Sequence, residues 1–158
     1  MLKKILLALL LFTSPLLATN SSFDVRTPSN VTAETLDKNF KGVLAGKGEH
    51  FKKAEKEHKV NASFLAAIAI LESGNGTSSK ARNRRNCFGL RGKSFGKVED
   101  GIYHAAATIA KKDGYYYGRG KYTIARIAST YAPPKHSKGN SLWAANVIRI
   151  MKRLESSQ

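Results

Sequence analysis

The chain has 158 residues, with 27 Lys and Arg against 11 Asp and Glu, for a formal charge of +16. That length suits one domain with one substantial core, and 42% hydrophobic with 9% aromatic residues excludes wholesale disorder despite the charge. A single cysteine excludes a disulfide-stapled mini-protein and a cysteine-rich zinc module, and the lack of any period excludes collagen, solenoids and propellers.

In chain order, residues 1–18 read as an export signal. Lys3 and Lys4 precede the apolar run Ile5 to Phe12, Thr13-Ser14-Pro15 breaks it, and Leu16-Leu17-Ala18 offers a small residue before the cut. The run is too short to cross roughly 30 Å of hydrocarbon as a helix. Cleavage near Ala18 is therefore expected, with the mature protein in the periplasm or secreted and no stable membrane anchor. Loss of residues 1–18 still leaves about +14, a surplus that drives a small domain toward polyanions. For an exported protein these are peptidoglycan, teichoic acids and anionic lipid surfaces rather than nucleic acid; a basic surface that only keeps the protein soluble is the plainer alternative.

Thr19 to Asn30 is polar and reads as a mobile lead-in. Val31 to Ala45 suggests a short helix, with Thr32 as N-cap and Leu36, Phe40 and Val43 on one side. Gly46-Lys47-Gly48 separates it from Glu49 to Lys59, where Phe51, Ala54 and His58 recur at helical spacing. Asn61 then caps Ala62 to Ser73, closed by Gly74, and this segment is apolar nearly all round, so it should run through the core. Gly74 to Lys97 is rich in Gly, Ser, Asn and Arg and predicts turns, a short helix near Ser78 to Arg82 and at most a vestigial β-hairpin. Glu99 to Lys112 and Lys121 to Tyr131 are helical, the second stopped by Ala132-Pro133-Pro134, and a last amphipathic helix starts at Asn140 or Ser141. Five or six helices with almost no alternating pattern predict a mainly α, single-domain fold around one apolar helix.

Glu72 is the residue in this pattern that points to chemistry. It follows Leu65 by seven, Ile68 by four and Ala69 by three, so it shares their face of the central helix. Apolar surroundings and the negative end of the helix dipole both disfavour its carboxylate. A carboxylic acid that stays protonated near neutral pH is what glycoside cleavage needs to protonate a leaving oxygen. A solvent-facing glutamate at a helix end is the plain alternative.

The segments Glu72-Ser-Gly-Asn-Gly-Thr-Ser78, Asn86-Cys-Phe-Gly-Leu90, Thr123-Ile124, Ile127 and Tyr131-Ala-Pro133 follow one another in order. Together, over about Phe51 to Leu154, they resemble the glucosaminidase family of peptidoglycan hydrolases (mannosyl-glycoprotein endo-beta-N-acetylglucosaminidase-like domains), whose fold belongs with lysozymes and lytic transglycosylases. The resemblance implies a lysozyme-like domain over residues 46–158, preceded by the lead-in and short helix of 19–45. It implies Glu72 as general acid on the β-1,4 bond after an N-acetylglucosamine unit. Tyr131 would line the cleft and position water or the acetamido group. Asn86, Phe88 and Gly89 would form the floor of the sugar groove, and Thr77 and Ser78 would brace the acid. The expected partner is the glycan strand of peptidoglycan, met by a monomer that uses no cofactor.

Many family members carry a longer hairpin lobe after the Phe-Gly motif, with a second acid; here only Arg91 to Lys97 separates Leu90 from Val98. Glu99 and Asp100 are the nearest acids, and their position fits the start of a helix better than catalysis. Without a second carboxylate, water would be activated by Tyr131 or the substrate's acetamido group, or a sugar hydroxyl would attack as in lytic transglycosylases. Cys87 fits a small buried position rather than a nucleophile, although His104 or His136 would be the available bases. His50, His58, His104 and His136 lack metal-ligand spacing, so no metal is expected. Tyr115, Tyr116 and Tyr117 would present aromatic faces to sugars or pack a loop. Arg82, Arg84 and Arg85 form a basic knot, and Trp143 reads as a core anchor. A non-catalytic wall-binding module of the same fold and a cationic membrane- or nucleic-acid-binding effector are the competing functions.

Overall fold

The computed structural model describes residues 19–133 and 139–158; the export signal, Pro134 and His136 lie outside the described residues. Among the described residues, seven helices account for the architecture: α1 Ala33–Asn39, α2 Gly48–His58, α3 Ala62–Ser73, α4 Ser79–Arg84, α5 Val98–Ala110, α6 Ile124–Tyr131 and α7 Gly139–Ser156, with 3₁₀ turns at Gly42–Leu44 and Tyr117–Arg119. The expected mainly α class holds. In place of a hairpin, the described residues contain only an isolated antiparallel bridge between Asp24 and Thr123.

The α3 helix is the axis. Every residue from Ala62 to Ile70 is buried, because an all-apolar helix is stable only when enclosed. It packs on α7 and α2, with α5 behind, while α1 lies on α2 and α6 on α7. Its ends are fixed by polar groups. Asn61 Oδ1 accepts from Phe64 N–H at 2.9 Å, and Glu55 Oε2 accepts from Ala62 N–H at 2.6 Å. The second bond sets a carboxylate against the positive end of the helix. At the other end Gly74 adopts φ +58 and terminates the helix. The chain therefore delivers Glu72 to the last turn of a buried helix capped at both ends.

The lead-in is not mobile. Phe23 and Val25 are buried in the main core, Val25 N–H donates to Tyr122 O at 2.8 Å, and Val25 O accepts from Asn61 N–H at 2.7 Å. Its polar composition hides two apolar residues that face inward. The helix expected over 31–45 is also shorter. Thr32 caps it as expected, accepting from Thr35 N–H at 3.1 Å, but it ends at Asn39, and Phe40 and Val43 lie beyond it.

The turn after α3 explains the residue types in Ser73-Gly74-Asn75-Gly76. Ser73 Oγ accepts from Gly76 N–H at 2.7 Å. Asn75, at φ +55, donates to Asn39 O at 2.9 Å and accepts from Lys41 N–H at 3.2 Å. Gly76 has φ +78, and a Cβ there would lie 2.5 Å from Lys41 O, so only glycine lets the two backbones meet.

Candidate active site

Glu72 projects from the end of α3 between three other elements. Its Oε1 accepts a hydrogen bond of 2.9 Å from the Trp143 indole N–H on α7. Its Oε2 lies against the backbone of Gly89, where a Cβ would come within 2.6 Å. Gly89 also has φ +65, so both its conformation and its contact require glycine. Burial raises the Glu72 carboxyl above its ordinary value, opposed by the Trp143 hydrogen bond and the charge of Lys80. The net effect shifts the carboxyl toward its neutral form, and of its two oxygens Oε1 is the one that accepts the indole hydrogen.

The strand of loop carrying Gly89 is held by one buried side chain. Asn86 donates through Nδ2 to Leu90 O at 2.6 Å and to Lys93 O at 3.1 Å. Its Oδ1 accepts from Phe88 N–H at 3.3 Å and Leu90 N–H at 3.1 Å. All of the amide's hydrogen-bonding capacity is thus directed at the backbone of its own loop.

Tyr131, in the last turn of α6, donates its hydroxyl hydrogen to Phe88 O. Its ring stacks on Trp143, with centroids 4.9 Å apart and planes at 26°, and Tyr116 stands 6.4 Å away. Burial first, then the charge of Glu72, push the Tyr131 phenol well above its ordinary value. The phenol therefore stays neutral, and its proton is already engaged; it is a polar wall and not a base. Phe88, Gly89, Leu90, Arg91, Tyr116, Thr130 and Tyr131 line an open groove of about 140 Å³. No Asp or Glu lines this groove among the described residues. Glu99 is paired with Lys47 at 2.9 Å, and Asp100 caps α5 through Lys97 N–H at 3.1 Å.

Glu72, Gly89, Tyr116 and Tyr131 are thus brought together. Phe88 joins them only through its carbonyl: its side chain is buried and faces Phe51 at 6.3 Å. Asn86 is buried and acts as a brace rather than as groove floor. Thr77 and Ser78 do not bond to Glu72; Thr77 Oγ1 donates to Gly74 O at 2.7 Å, and Ser78 Oγ caps α4 through Ala81 N–H at 3.2 Å. Tyr117 points elsewhere, donating to Lys59 O at 3.0 Å in a separate groove with Arg26, His58, Lys112 and Tyr122. Tyr115 is 74% exposed. Cys87 is buried beside Ser73, and burial pushes its thiol up to about 11, which fits an inert packing group.

Trp143 is the site residue that sequence reasoning misses. It is indeed buried, at 7% exposure, edge-on to Phe64 at 6.5 Å. Nothing in its local sequence marks the one polar atom that reaches across to Glu72.

Residues 48–156 match the glucosaminidase family, described as mannosyl-glycoprotein endo-beta-N-acetylglucosaminidase. Two Streptococcus pneumoniae proteins, from serotype 4 and from strain R6, bear the name endo-beta-N-acetylglucosaminidase. Each is 34% identical over 146 residues and covers 83% of this chain. The chain spans only 21% and 20% of their lengths. Crystal structures of Staphylococcus aureus autolysin E share the fold at 20% identity. A catalytic mutant with the disaccharide NAG-NAM superposes with TM-score 0.68, covering 86% of this chain and 72% of that one. The complex with the muropeptide NAM-L-Ala-D-iGlu gives 0.69 over the same shares.

Proposed function

This chain belongs to the glucosaminidase family, and from that premise we propose that it is an exported glycoside hydrolase that cleaves the β-1,4 glycan bond of peptidoglycan after N-acetylglucosamine, with Glu72 as general acid. The observation that carries this reading is the Glu72 carboxyl itself. It is held by the Trp143 indole and lies against Gly89, a residue of the open groove's wall, and burial shifts it toward its protonated form. A glycan substrate is supported by the disaccharide and muropeptide complexes of autolysin E, which shares the fold. The charge of about +14 without residues 1–18 suits an anionic wall polymer.

The proton on Oε2 passes to the bridging oxygen, the C1–O bond breaks, and its electron pair stays with the leaving sugar. Among the described residues, no carboxylate lines the groove to meet the positive charge at C1. The substrate's own acetamido oxygen fills that role, and water then opens the intermediate, returning a proton to Glu72. Tyr131 and Tyr116 wall the site and limit where the ring and the water stand. Attack by a sugar hydroxyl, giving an anhydro end, uses the same single acid and is the second reading that this arrangement supports.

Glu72→Gln keeps the acceptor for Trp143 and removes the proton. The expected result is loss of cell-wall clearing with retained fold and retained sedimentation on purified walls. Equal clearing by both proteins rejects the enzyme reading. Binding that vanishes with added salt and releases no sugar would point instead to a non-catalytic cationic module.

A further inference from the structure

Glu72 has two oxygens in unlike surroundings, and this asymmetry comes from one side chain. Oε1 faces the Trp143 indole N–H at 2.9 Å, whereas Oε2 faces Gly89, which lines the groove. The indole cannot swing away, because it is clamped between Phe64 on α3 and Tyr131 on α6. We propose that Trp143 is a positioning residue for catalysis: its N–H pins Oε1 so that the transferable proton sits on Oε2 beside the groove, and it holds the carboxylate left behind after transfer. The inference rests on Glu72 being the general acid.

The physical basis is that a neutral donor bonds more strongly to a carboxylate than to a carboxylic acid. The bond therefore strengthens as the proton leaves, which is the kind of interaction that lowers a barrier rather than only binding the ground state. Among the described residues, the other groups near this carboxyl are Lys80 from α4, Tyr131 from α6 and the Tyr116 ring behind it, with Arg91 lining the groove. Of these, Lys80 supplies charge and Tyr131 supplies a proton already donated to Phe88 O; among the described residues, Trp143 alone donates to Glu72.

Trp143 is the only tryptophan in the chain, so its fluorescence reports on this bond directly. In the unaltered protein it should titrate with one midpoint, matching the alkaline limb of kcat/KM, because activity needs the acid form. In Glu72→Gln that transition should disappear. Global replacement of tryptophan by benzothienylalanine keeps the fused ring and its stacking but removes the N–H. The expected result is a plateau kcat/KM at least tenfold lower and an alkaline limb about one pH unit higher, as a lost charge-assisted bond predicts; Trp143→Phe should move the limb the same way. A limb that stays in place in both altered proteins, or a fluorescence transition that persists in Glu72→Gln, overturns the inference. If Glu72→Gln remains active, the acid reading itself has failed; if it is inactive while the limb stays put, only the role of Trp143 has.

Discussion

Gly89→Ala is the most discriminating small change available. An added Cβ would sit 2.6 Å from Glu72 Oε2, whereas ordinary contact begins near 3.4 Å, so the carboxyl must retreat by about 0.8 Å. A misplacement on that scale at a reacting group costs on the order of a hundredfold in rate. The same change also strains the backbone, since Gly89 has φ +65, at a cost of about 1–2 kcal/mol. Gly92 provides the control. It lies in the same loop at φ +70, and a methyl group added there would meet nothing within 4 Å. Gly92→Ala should therefore lose the same stability, about 2–8 °C in Tm for a domain of this size, and keep its activity. Both variants are compared by thermal unfolding and by initial rates on purified walls. Gly89→Ala matching Gly92→Ala in rate would refute the claim that the position of Oε2 matters.

Three further outcomes follow from the same geometry. Because burial raises the Glu72 carboxyl in the folded state, its contribution to stability is fully present below its unfolded value and is lost as pH rises through the folded value; Glu72→Gln should therefore melt higher than the parent at neutral pH, with the gap closing on acidification. Asn86→Ala strands the backbone groups of Phe88, Leu90 and Lys93 and should cost roughly 2–4 kcal/mol in chemical denaturation, as several broken buried bonds predict, with a loss of activity greater than that of Gly92→Ala. Cys87, buried and with its thiol pushed up to about 11, should resist alkylation at pH 8 in the native protein and react at once after denaturation; rapid native labelling would contradict the packing role.

The central helix is legible in the sequence because its signals agree. Asn61 caps it, ten apolar or small residues follow, and Gly74 ends it, all as the chain pattern indicates. Glu72 is legible as well, since its spacing from Leu65 and Ile68 places it on a core-facing side at a helix end. What the sequence conceals depends on contacts between distant segments. Trp143 meets Glu72 across 71 positions, and no local pattern separates an indole that fills space from one that donates. Asn86 reads as groove floor because its motif marks the site; only the fold reveals that its amide is consumed by its own loop. Tyr116 and Tyr117 are neighbours in sequence, yet they face different grooves, a divergence set by the 3₁₀ turn that begins between them. Phe23 and Val25 are masked by a polar neighbourhood, and only pairing with Tyr122 and Asn61 draws them inward.

The most direct test of the account is the chemistry of the cut ends. Purified peptidoglycan is digested with the unaltered protein and with Glu72→Gln, and the fragments are reduced and weighed by mass spectrometry. The account predicts fragments ending in reducible N-acetylglucosamine from the unaltered protein and none from the substituted one. Fragments ending in N-acetylmuramic acid, or the same products from both proteins, would contradict it.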